Sequence, residues 1–377
     1  MPTLSLCMIV KNEQKFLEQC LRSVQNLVDE IIIVDTGSTD KTKEIASKFT
    51  RKIYDFVWCD DFAAARNVSL AHATGDWILV LDADEVVAEQ DHLAIRTLIA
   101  NATADVSGFL LTQRNYFNSK EDLQLGSSND LTVTAAGGEL DFVSAESDIY
   151  QESKGKACWL PSLIVRLFRR EEKVSFSGRV HEDVTSSLRG KIIPSAILVH
   201  HYGKCDLQVW KKKNELYLKL GKKKAEEQHD YYACFELGRQ YLADQNGPPQ
   251  LDKAKEMLEQ SILLKSDFWL SWFNLGSVHL LQEDLNSARI CLEKALEYNS
   301  QSPQIYLNLG VVYIKLKQYG EAVSVLIQGI NNNPTRADLY KNLGLCYLEM
   351  GNEKEAVPIL ERAVELNPKY GKQFRFS

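Results

Sequence analysis

The sequence predicts an α/β domain with a buried parallel sheet, followed by an all-α array of helical repeats. Two observations support this fold class. As far as residue 205, short β-branched runs alternate with amphipathic helical patterns, which is typical of βαβ units. Beyond that residue a Leu-Gly pair recurs at a nearly constant interval, which is typical of stacked helical repeats. We therefore predict an α/β domain over 1–205, a helical linker over 206–230 and about four repeats over 231–370.

The elements of the first domain follow from the period of its apolar residues. Strands are predicted over 4–10, 30–35, 52–58 and 77–81, and helices over 14–25, 40–49 and 62–73. The last strand is almost wholly apolar, as expected in a parallel sheet that is buried on both faces. Ligands of such sheets bind beyond the carboxyl ends of the strands. The residues that follow each strand are therefore the candidates for chemistry.

The second half of the chain repeats in sequence. The last two intervals between Leu-Gly pairs are 34 residues and the first is 38. The glycines of these pairs are Gly238, Gly276, Gly310 and Gly344. An alanine follows each of the last three by twelve residues, so small residues recur where paired helices would touch. This is the tetratricopeptide pattern, and its concave surface suits an extended peptide.

The repeats also carry an asparagine immediately before each of the last three Leu-Gly pairs. These residues are Asn274, Asn308 and Asn342. We expect them to bind a peptide backbone, with polar helix-surface residues as the alternative. Between Tyr116 and Cys158 lies a polar insertion, 117–157, which is either an acceptor-side lid or a mobile surface loop.

Composition narrows the class of protein. The 377 residues are 45% hydrophobic and 25% charged, as in a soluble globular protein, and no apolar run approaches the ~20 residues of a membrane span. The N-terminal residues lack the features of a signal peptide and instead predict a strand. The net charge of −7 argues against nucleic acid as a partner.

Cysteine and lysine usage add two expectations. The eight cysteines are scattered and form no CxxC pair, so we interpret them as reduced core residues of a cytoplasmic protein. Two lysine runs, 211–213 and 222–224, lie on a predicted helix that also carries glutamates. We interpret these runs as a solvated helix face.

Two segments follow predicted strands and carry carboxylates. Asp35 lies at the tip of the second strand, where it can accept hydrogen bonds from a ribose or a base, and Gly37 allows a close turn; plain turn chemistry is the alternative. Asp82 and Asp84 follow the apolar fourth strand. Two carboxylates at the mouth of a strand repel each other unless a cation lies between them. Hard oxygen ligands suit Mg²⁺ or Mn²⁺, which can also hold a diphosphate.

A later segment carries a pair of side chains capable of acid and base chemistry. His181 and Glu182 follow a Gly-Arg turn, and either can act as a general base. His200 and His201 end a further strand and point to opposite faces, so at most one faces the site. We expect His201 to be a third metal ligand beside Asp82 and Asp84, with packing as the alternative for this pair.

These motifs together resemble the inverting glycosyltransferase family 2, which has the GT-A fold. The resemblance spans about residues 3–203 and rests on residues 5–13, 33–40, 62–67, 81–85 and 178–182. It is strongest to the subgroup of lipopolysaccharide-core glucosyltransferases and sublancin-type S-glycosyltransferases. The expected fold is therefore a GT-A domain, Rossmann-like in its nucleotide-sugar binding, followed by tetratricopeptide repeats.

The resemblance implies roles for individual residues. Asp84 would bind the metal, Asp82 would lie near the sugar or ribose, and the metal would stabilise the leaving diphosphate during direct displacement at the anomeric carbon. Glu182 is preferred over His181 as the base, because many relatives have an acidic pair there. The residues implied to surround the nucleotide, usually UDP, are Val10, Asn12, Glu13, Asp35, Gly37, Ser38 and Arg66.

The predicted function is transfer of a sugar from a nucleotide sugar to a peptide or protein held by the repeats. UDP-glucose, UDP-N-acetylglucosamine and UDP-galactose are the candidate donors, with Mn²⁺ or Mg²⁺ as the cofactor. One alternative is transfer to a lipid-linked or surface polysaccharide, with the repeats forming a homodimer. Another is an inactive transferase domain that serves as a scaffold. The presence of Asp82, Asp84 and Arg66 argues against a scaffold, because an inactive domain does not need carboxylates at its strand ends.

Overall fold

The computed structural model describes residues 1–119, 122, 142–146, 148–180, 182–242, 249–372 and 374. The described residues up to Leu220 belong to one compact unit, and those from Gly221 onward belong to a second. His181 and most of the 117–157 insertion lie outside the described residues. In the part of the chain that is described, no helix is long and apolar enough to cross a membrane.

The first unit is built on a mixed β-sheet, whose described part has nine strands. In sheet order the strands are β3, β2, β1, β4, β8, β6, β9 and β5, and β7 pairs with β8 alone. Their bounds are β1 Leu4–Val10, β2 Glu30–Asp35, β3 Ile53–Asp55, β4 Trp77–Val80, β5 Glu85–Val86, β6 Val106–Phe117, β7 Val143–Ser144, β8 Cys158–Arg169 and β9 Lys191–His201.

The predicted parallel sheet is right for one half of this sheet and wrong for the other. Within the group formed by β3, β2, β1 and β4, every pair of neighbouring strands is parallel. Strand β8 runs antiparallel to both β4 and β6, and β5 runs antiparallel to β9, although β6 and β9 are parallel. The apolar strands β1, β2 and β4 carry the pattern of a sheet covered on both faces, whereas β8 and β9 have exposed residues at their centres.

The helices of the first unit are α1 Leu17–Val24, α2 Thr42–Ser47, α3 Phe62–Ala71, α4 His92–Asn101 and α5 Leu207–Gln228, the last of which continues past Leu220. Helix α1 buries Leu17, Cys20, Leu21 and Val24, as its sequence predicts. It is shorter than the predicted 14–25 because a turn closed on the carbonyl of Glu13 precedes it. None of the eight cysteines is in a disulfide, and six of them are buried.

The second unit contains four helical hairpins among its described residues, in agreement with the predicted repeats. The helices are α6 Tyr231–Leu242, α7 Leu251–Leu264, α8 Trp269–Leu281, α9 Leu285–Tyr298, α10 Pro303–Lys315, α11 Tyr319–Asn332, α12 Ala337–Glu349 and α13 Glu353–Leu366. The glycine of each Leu-Gly pair lies against a leucine of the partner helix. A methyl group at Gly276, Gly310 or Gly344 would come within 2.7 Å of that leucine, so the glycine is required by close helix approach.

This packing predicts the effect of one substitution. Gly310→Ala should lower the free energy of unfolding by about 1–3 kcal/mol, because the added methyl group would overpack the buried Leu326. Gly320→Ala is the matched control: no atom lies within 4 Å of its added carbon, and alanine should stabilise the helix by up to ~1 kcal/mol. Urea unfolding followed by circular dichroism measures both, and equal stability of the two variants would contradict the packing.

The three asparagines do not have the exposure expected of a peptide-binding face. Asn274, Asn308 and Asn342 are 6%, 0% and 5% exposed. Asn274 Nδ2 donates to the Leu270 carbonyl at 2.7 Å, and Asn308 Nδ2 donates to Ser277 Oγ of the preceding repeat at 3.1 Å. The expectation that these residues bind a peptide backbone is therefore wrong, because they lie within and between packed helices.

Candidate functional site

The carboxyl ends of β1, β2 and β4 lie at one edge of the sheet, since Val10 is in register with Asp35 and Cys7 with Val80. Strand β9 ends beside the same segment, where His201 is in register with Glu85. The topology therefore brings the residues after four strands to a common edge. This edge is where ligands of open α/β sheets bind.

The loops after β1 and β2 are bonded to each other. The Asn12 N–H donates to Ser38 Oγ at 2.9 Å, and the Thr39 N–H donates to Asn12 Oδ1 at 2.8 Å. Asn12 has a φ of +56°, which an asparagine tolerates better than most residues. The Val10 carbonyl accepts the Thr36 N–H at 2.9 Å. Asn12 and Ser38 thus fix the shape of the two loops that are predicted to surround the nucleotide.

Asp35 is fully buried at the tip of β2. Its Oδ1 accepts the N–H groups of Gly37 and Ser38 at 2.9 and 2.8 Å, and Gly37 has a φ of +100°. Its Oδ2 has no hydrogen-bond partner among the described residues. Asp35 therefore performs the turn chemistry foreseen as an alternative, while one buried oxygen is left for a ligand.

We predict that Asp35→Ala weakens the binding of UDP by about 1–3 kcal/mol through loss of that acceptor. Asp40→Ala is the control, because Asp40 also stabilises this loop by accepting the N–H groups of Thr42 and Gln14. Calorimetric titration with UDP measures both variants. Equal losses of affinity would assign Asp35 to the loop alone.

Arg66 is the centre of a buried ion-pair network. Its Nη2 donates to Asp82 Oδ1 and its Nε donates to Glu182 Oε1, both at 2.6 Å. Arg166 Nη2 donates to the other oxygen of Asp82 at 2.7 Å. Burial disfavours the charged form of Asp82, but the two guanidinium groups outweigh it and hold its pKa far below the ordinary value. Asp82 is therefore a carboxylate fixed by two arginines.

Helix α3 carries both Arg66 and the adjacent Asn67. Asp61 caps the helix by accepting the Ala64 N–H at 2.9 Å. The Asn67 amide accepts the Phe176 N–H at 2.8 Å and donates to the Phe176 carbonyl at 3.0 Å. These bonds hold the segment that precedes Glu182 against the helix, so Asn67 positions the partner that Arg66 binds.

Sequence reasoning missed two residues of this network. Glu85 is fully buried, accepts the Asp82 N–H at 2.7 Å and Arg166 Nη2 at 3.0 Å, and also contacts Gln113. Burial raises the pKa of Glu85. The available signal was Arg166 itself, a charged residue between apolar neighbours in a strand. Such a residue requires a buried partner.

A second cluster surrounds Asp84. Lys213 Nζ of helix α5 lies 2.9 Å from Asp84 Oδ2 and 3.6 Å from Glu13 Oε1, and His201 Nε2 lies 3.6 Å from the same Asp84 oxygen. Burial opposes ionisation of Asp84, but its interactions with His201 and Lys213 keep its pKa well below the ordinary value. Burial also raises the pKa of Glu13 to about 7, although Lys213 acts against this rise.

Lys213 and Lys224 correct the interpretation of the lysine runs as a solvated face. Lys213 pairs with the two carboxylates above, and the buried Lys224 pairs with Glu236. The Lys213 side chain is 35% exposed, whereas Lys224 is buried, which a lysine tolerates where a carboxylate neutralises its charge. The lysine runs therefore include structural ion pairs.

The two predicted histidine positions face different surroundings. His200 is buried, with Nδ1 2.8 Å from the Tyr116 hydroxyl, and burial lowers its pKa to about 4. His201 lies beside Asp84, as expected of the one histidine that faces the site. Its Nδ1 is 2.8 Å from Asn115 Oδ1. Asn115 Nδ2 donates to the Leu160 carbonyl and Ser162 Oγ, which fixes the amide so that Nδ1 of His201 is the donor.

This arrangement fits a divalent cation at Asp84 and His201. With Nδ1 acting as the donor, Nε2 is the nitrogen of His201 that would bind a cation lying between it and the Asp84 carboxylate, and metal-binding histidines are held in this way. A Cβ on Gly203 would lie 2.4 Å from Asp84 Oδ2 and 2.6 Å from His201 Nε2, so glycine keeps this space open. Within the described residues no group of three or more His, Cys, Asp or Glu forms a ready metal site. Mg²⁺-type sites use one or two protein ligands and the phosphates of the substrate.

The predicted site residues thus divide into three groups. Asp84, His201 and Glu13 surround Lys213, whereas Asp82 and Glu182 share Arg66. The third group forms the loops after β1 and β2 and contains Val10, Asn12, Asp35, Gly37 and Ser38. The roles of these residues in binding and catalysis stay predictions.

Profiles of two known families match separate parts of the chain. Residues 5–140 match the glycosyl transferase family 2 profile. Residues 279–343 and 337–370 match tetratricopeptide repeat profiles. The first match contains β1, β2 and β4 together with Arg66, Asp82 and Asp84.

The chain is also similar in sequence to two curated relatives. A TPR repeat-containing protein of Synechococcus elongatus is 32% identical over 273 residues, which cover 70% of this chain and 57% of that protein. The glycosyltransferase SunS of Bacillus subtilis, derived from prophage SPbeta, is 35% identical over 190 residues, which cover 48% of this chain and 35% of that protein.

A third relative is an uncharacterized glycosyltransferase of Rickettsia bellii, 33% identical over 102 residues, which cover 27% of this chain and 34% of that protein. The chain therefore spans between about a third and somewhat more than half of the length of these relatives. The strand-end carboxylates, the family matches and the helical hairpins lead to one identification: the chain carries a glycosyltransferase family 2 domain followed by tetratricopeptide repeats.

Proposed function

We propose that this chain is an inverting, metal-dependent glycosyltransferase that moves a sugar from a UDP-sugar to a peptide or protein acceptor bound by the repeats. The observation that carries the proposal is the pair of charge clusters after β4. One cluster surrounds Asp84 and the other joins Asp82 and Glu182 through Arg66. A divalent cation held by Asp84 and His201 would neutralise charge on the leaving diphosphate.

The residues of the chain divide the remaining work. Arg66 Nε donates to Oε1 of Glu182, which is one of the two carboxylate oxygens. Glu182 is proposed to accept the proton of an acceptor hydroxyl through Oε2. Asp82, which pairs with Arg66 and Arg166, is proposed to lie near the sugar or ribose. Asp35 and Asn12 are proposed to bind the nucleoside beyond β1 and β2.

The repeats support the assignment of a protein acceptor, because tetratricopeptide arrays present extended surfaces to peptides. The buried Asn274, Asn308 and Asn342 are not part of that surface. We propose that the reaction takes place in the cytoplasm, where nucleotide sugars are made and where cysteines that form no disulfide would stay reduced.

The test is incubation of the full chain and Mn²⁺ with UDP-glucose, UDP-N-acetylglucosamine or UDP-galactose, each radiolabelled in the sugar. Release of UDP reports consumption of the donor. Label in the protein fraction of a bacterial extract supports a protein acceptor, and label in the lipid or polysaccharide fraction contradicts it. Absence of UDP release with all three donors would contradict the proposed activity.

A further inference from the structure

Lys213 pairs with two carboxylates, although its side chain is 35% exposed. Its ammonium group lies 2.9 Å from Asp84 Oδ2 and 3.6 Å from Glu13 Oε1, at the edge of the sheet where the donor is proposed to bind. Asp84 is 3% exposed, so its carboxylate has little contact with water. The side chain nevertheless comes from helix α5, 129 positions along the chain from Asp84.

The atoms around Lys213 are those proposed to hold the divalent cation. Asp84 Oδ2 contacts both Lys213 Nζ and His201 Nε2, at 2.9 and 3.6 Å. A cation on Oδ2 and Nε2 would be within a few ångströms of the ammonium group. Two cations at that separation, beside a carboxylate that is only 3% exposed, repel each other strongly. The ammonium and the metal therefore cannot both remain on this oxygen.

We infer that Lys213 is the resident cation of Asp84, which the divalent metal displaces and whose ammonium then binds the diphosphate of the donor. This inference rests on the proposed function. The exchange is balanced in charge: a divalent cation replaces a monovalent one on Asp84, and the released ammonium is neutralised by a phosphate oxygen. Lys213 is thus a donor-binding residue that also keeps Asp84 paired before the donor arrives.

The exchange predicts two changes of opposite sign in Lys213→Met. Without nucleotide, Mn²⁺ should bind about tenfold or more tightly, because its competitor for Asp84 is gone. At saturating Mn²⁺ the metal occupies Asp84 in both the variant and the wild-type protein. UDP should then bind about tenfold or more weakly to the variant, because a charge-assisted bond to the diphosphate is lost. A lysine with only a structural role would not move the two affinities in opposite directions.

The experiment uses the full chain and calorimetry, with Mn²⁺ alone, UDP at saturating Mn²⁺, and uridine as a probe without phosphates. Lys212→Met is the matched control, since Lys212 is the exposed neighbour on the same helix, and it should leave all three affinities unchanged. Lys213→Arg keeps the charge and should retain both the weaker Mn²⁺ binding and the tighter UDP binding. Uridine affinity should be the same in every variant.

Unchanged Mn²⁺ affinity in Lys213→Met would overturn the inference, and so would unchanged UDP affinity at saturating Mn²⁺. Thermal unfolding of each variant separates these results from loss of the fold, and Lys213→Gln, which also removes the charge, provides the test if the methionine variant does not fold. The two proposals fail separately. Opposite shifts in a protein that consumes no nucleotide sugar would leave the inference standing, whereas donor consumption without such shifts would overturn the inference alone.

Discussion

Asp84→Asn is expected to abolish sugar transfer and Mn²⁺-dependent binding of UDP while the protein remains folded. The substitution removes the negative charge of the carboxylate beside which Lys213 and His201 both lie. A neutral amide binds a hard divalent cation much more weakly than a carboxylate does. We expect the rate of transfer to fall by a factor of about 10² or more, since the leaving diphosphate loses its electrostatic stabilisation.

The measurement is UDP release in parallel with calorimetry of UDP binding with and without Mn²⁺. Asp105→Asn is the control: Asp105 pairs with Lys191 and precedes β6, at the opposite end of that strand from the site. It should leave the rate unchanged. Full activity of the wild-type protein after removal of metal with EDTA would contradict the role proposed for Asp84.

Glu182→Gln should lower the rate of transfer by a factor of about 10² or more, with little change in affinity for the donor. Glutamine keeps an oxygen that can accept the bond from Arg66 Nε, which now goes to Glu182 Oε1 at 2.6 Å. The network around Arg66 is therefore disturbed as little as possible, and the change tests the loss of the base.

His181→Ala is the companion variant for this prediction. A comparable loss of rate only in His181→Ala would transfer the role of base to His181. Wild-type rates in both variants would mean that the acceptor needs no base, as a thiolate acceptor would not. The readout is the single-turnover rate at saturating donor, which separates the chemical step from binding.

Much of the fold was accessible from local patterns in the sequence. The phase of the Leu-Gly pairs predicted the helical hairpins, because a glycine such as Gly310 recurs wherever one helix must approach a leucine of its partner. The apolar run before Asp82 and Asp84 likewise predicted a buried strand with carboxylates at its end. The antiparallel pairing of β8 with β4 and β6 was not predicted.

The sequence by itself therefore determined the two fold classes, the order of the elements as far as β4 and within the repeats, and the strand ends at which chemistry is expected. Periodicity determines this much because it records which face of each element is buried. Only the tertiary structure decided which charged side chains pair between elements. These pairs are Arg66 with Asp82 and Glu182, Arg166 with Glu85, and Lys213 with Asp84. Lys213 and Asp84 are 129 positions apart, and a single sequence carries no local signal for a charge pair formed when two distant elements pack together.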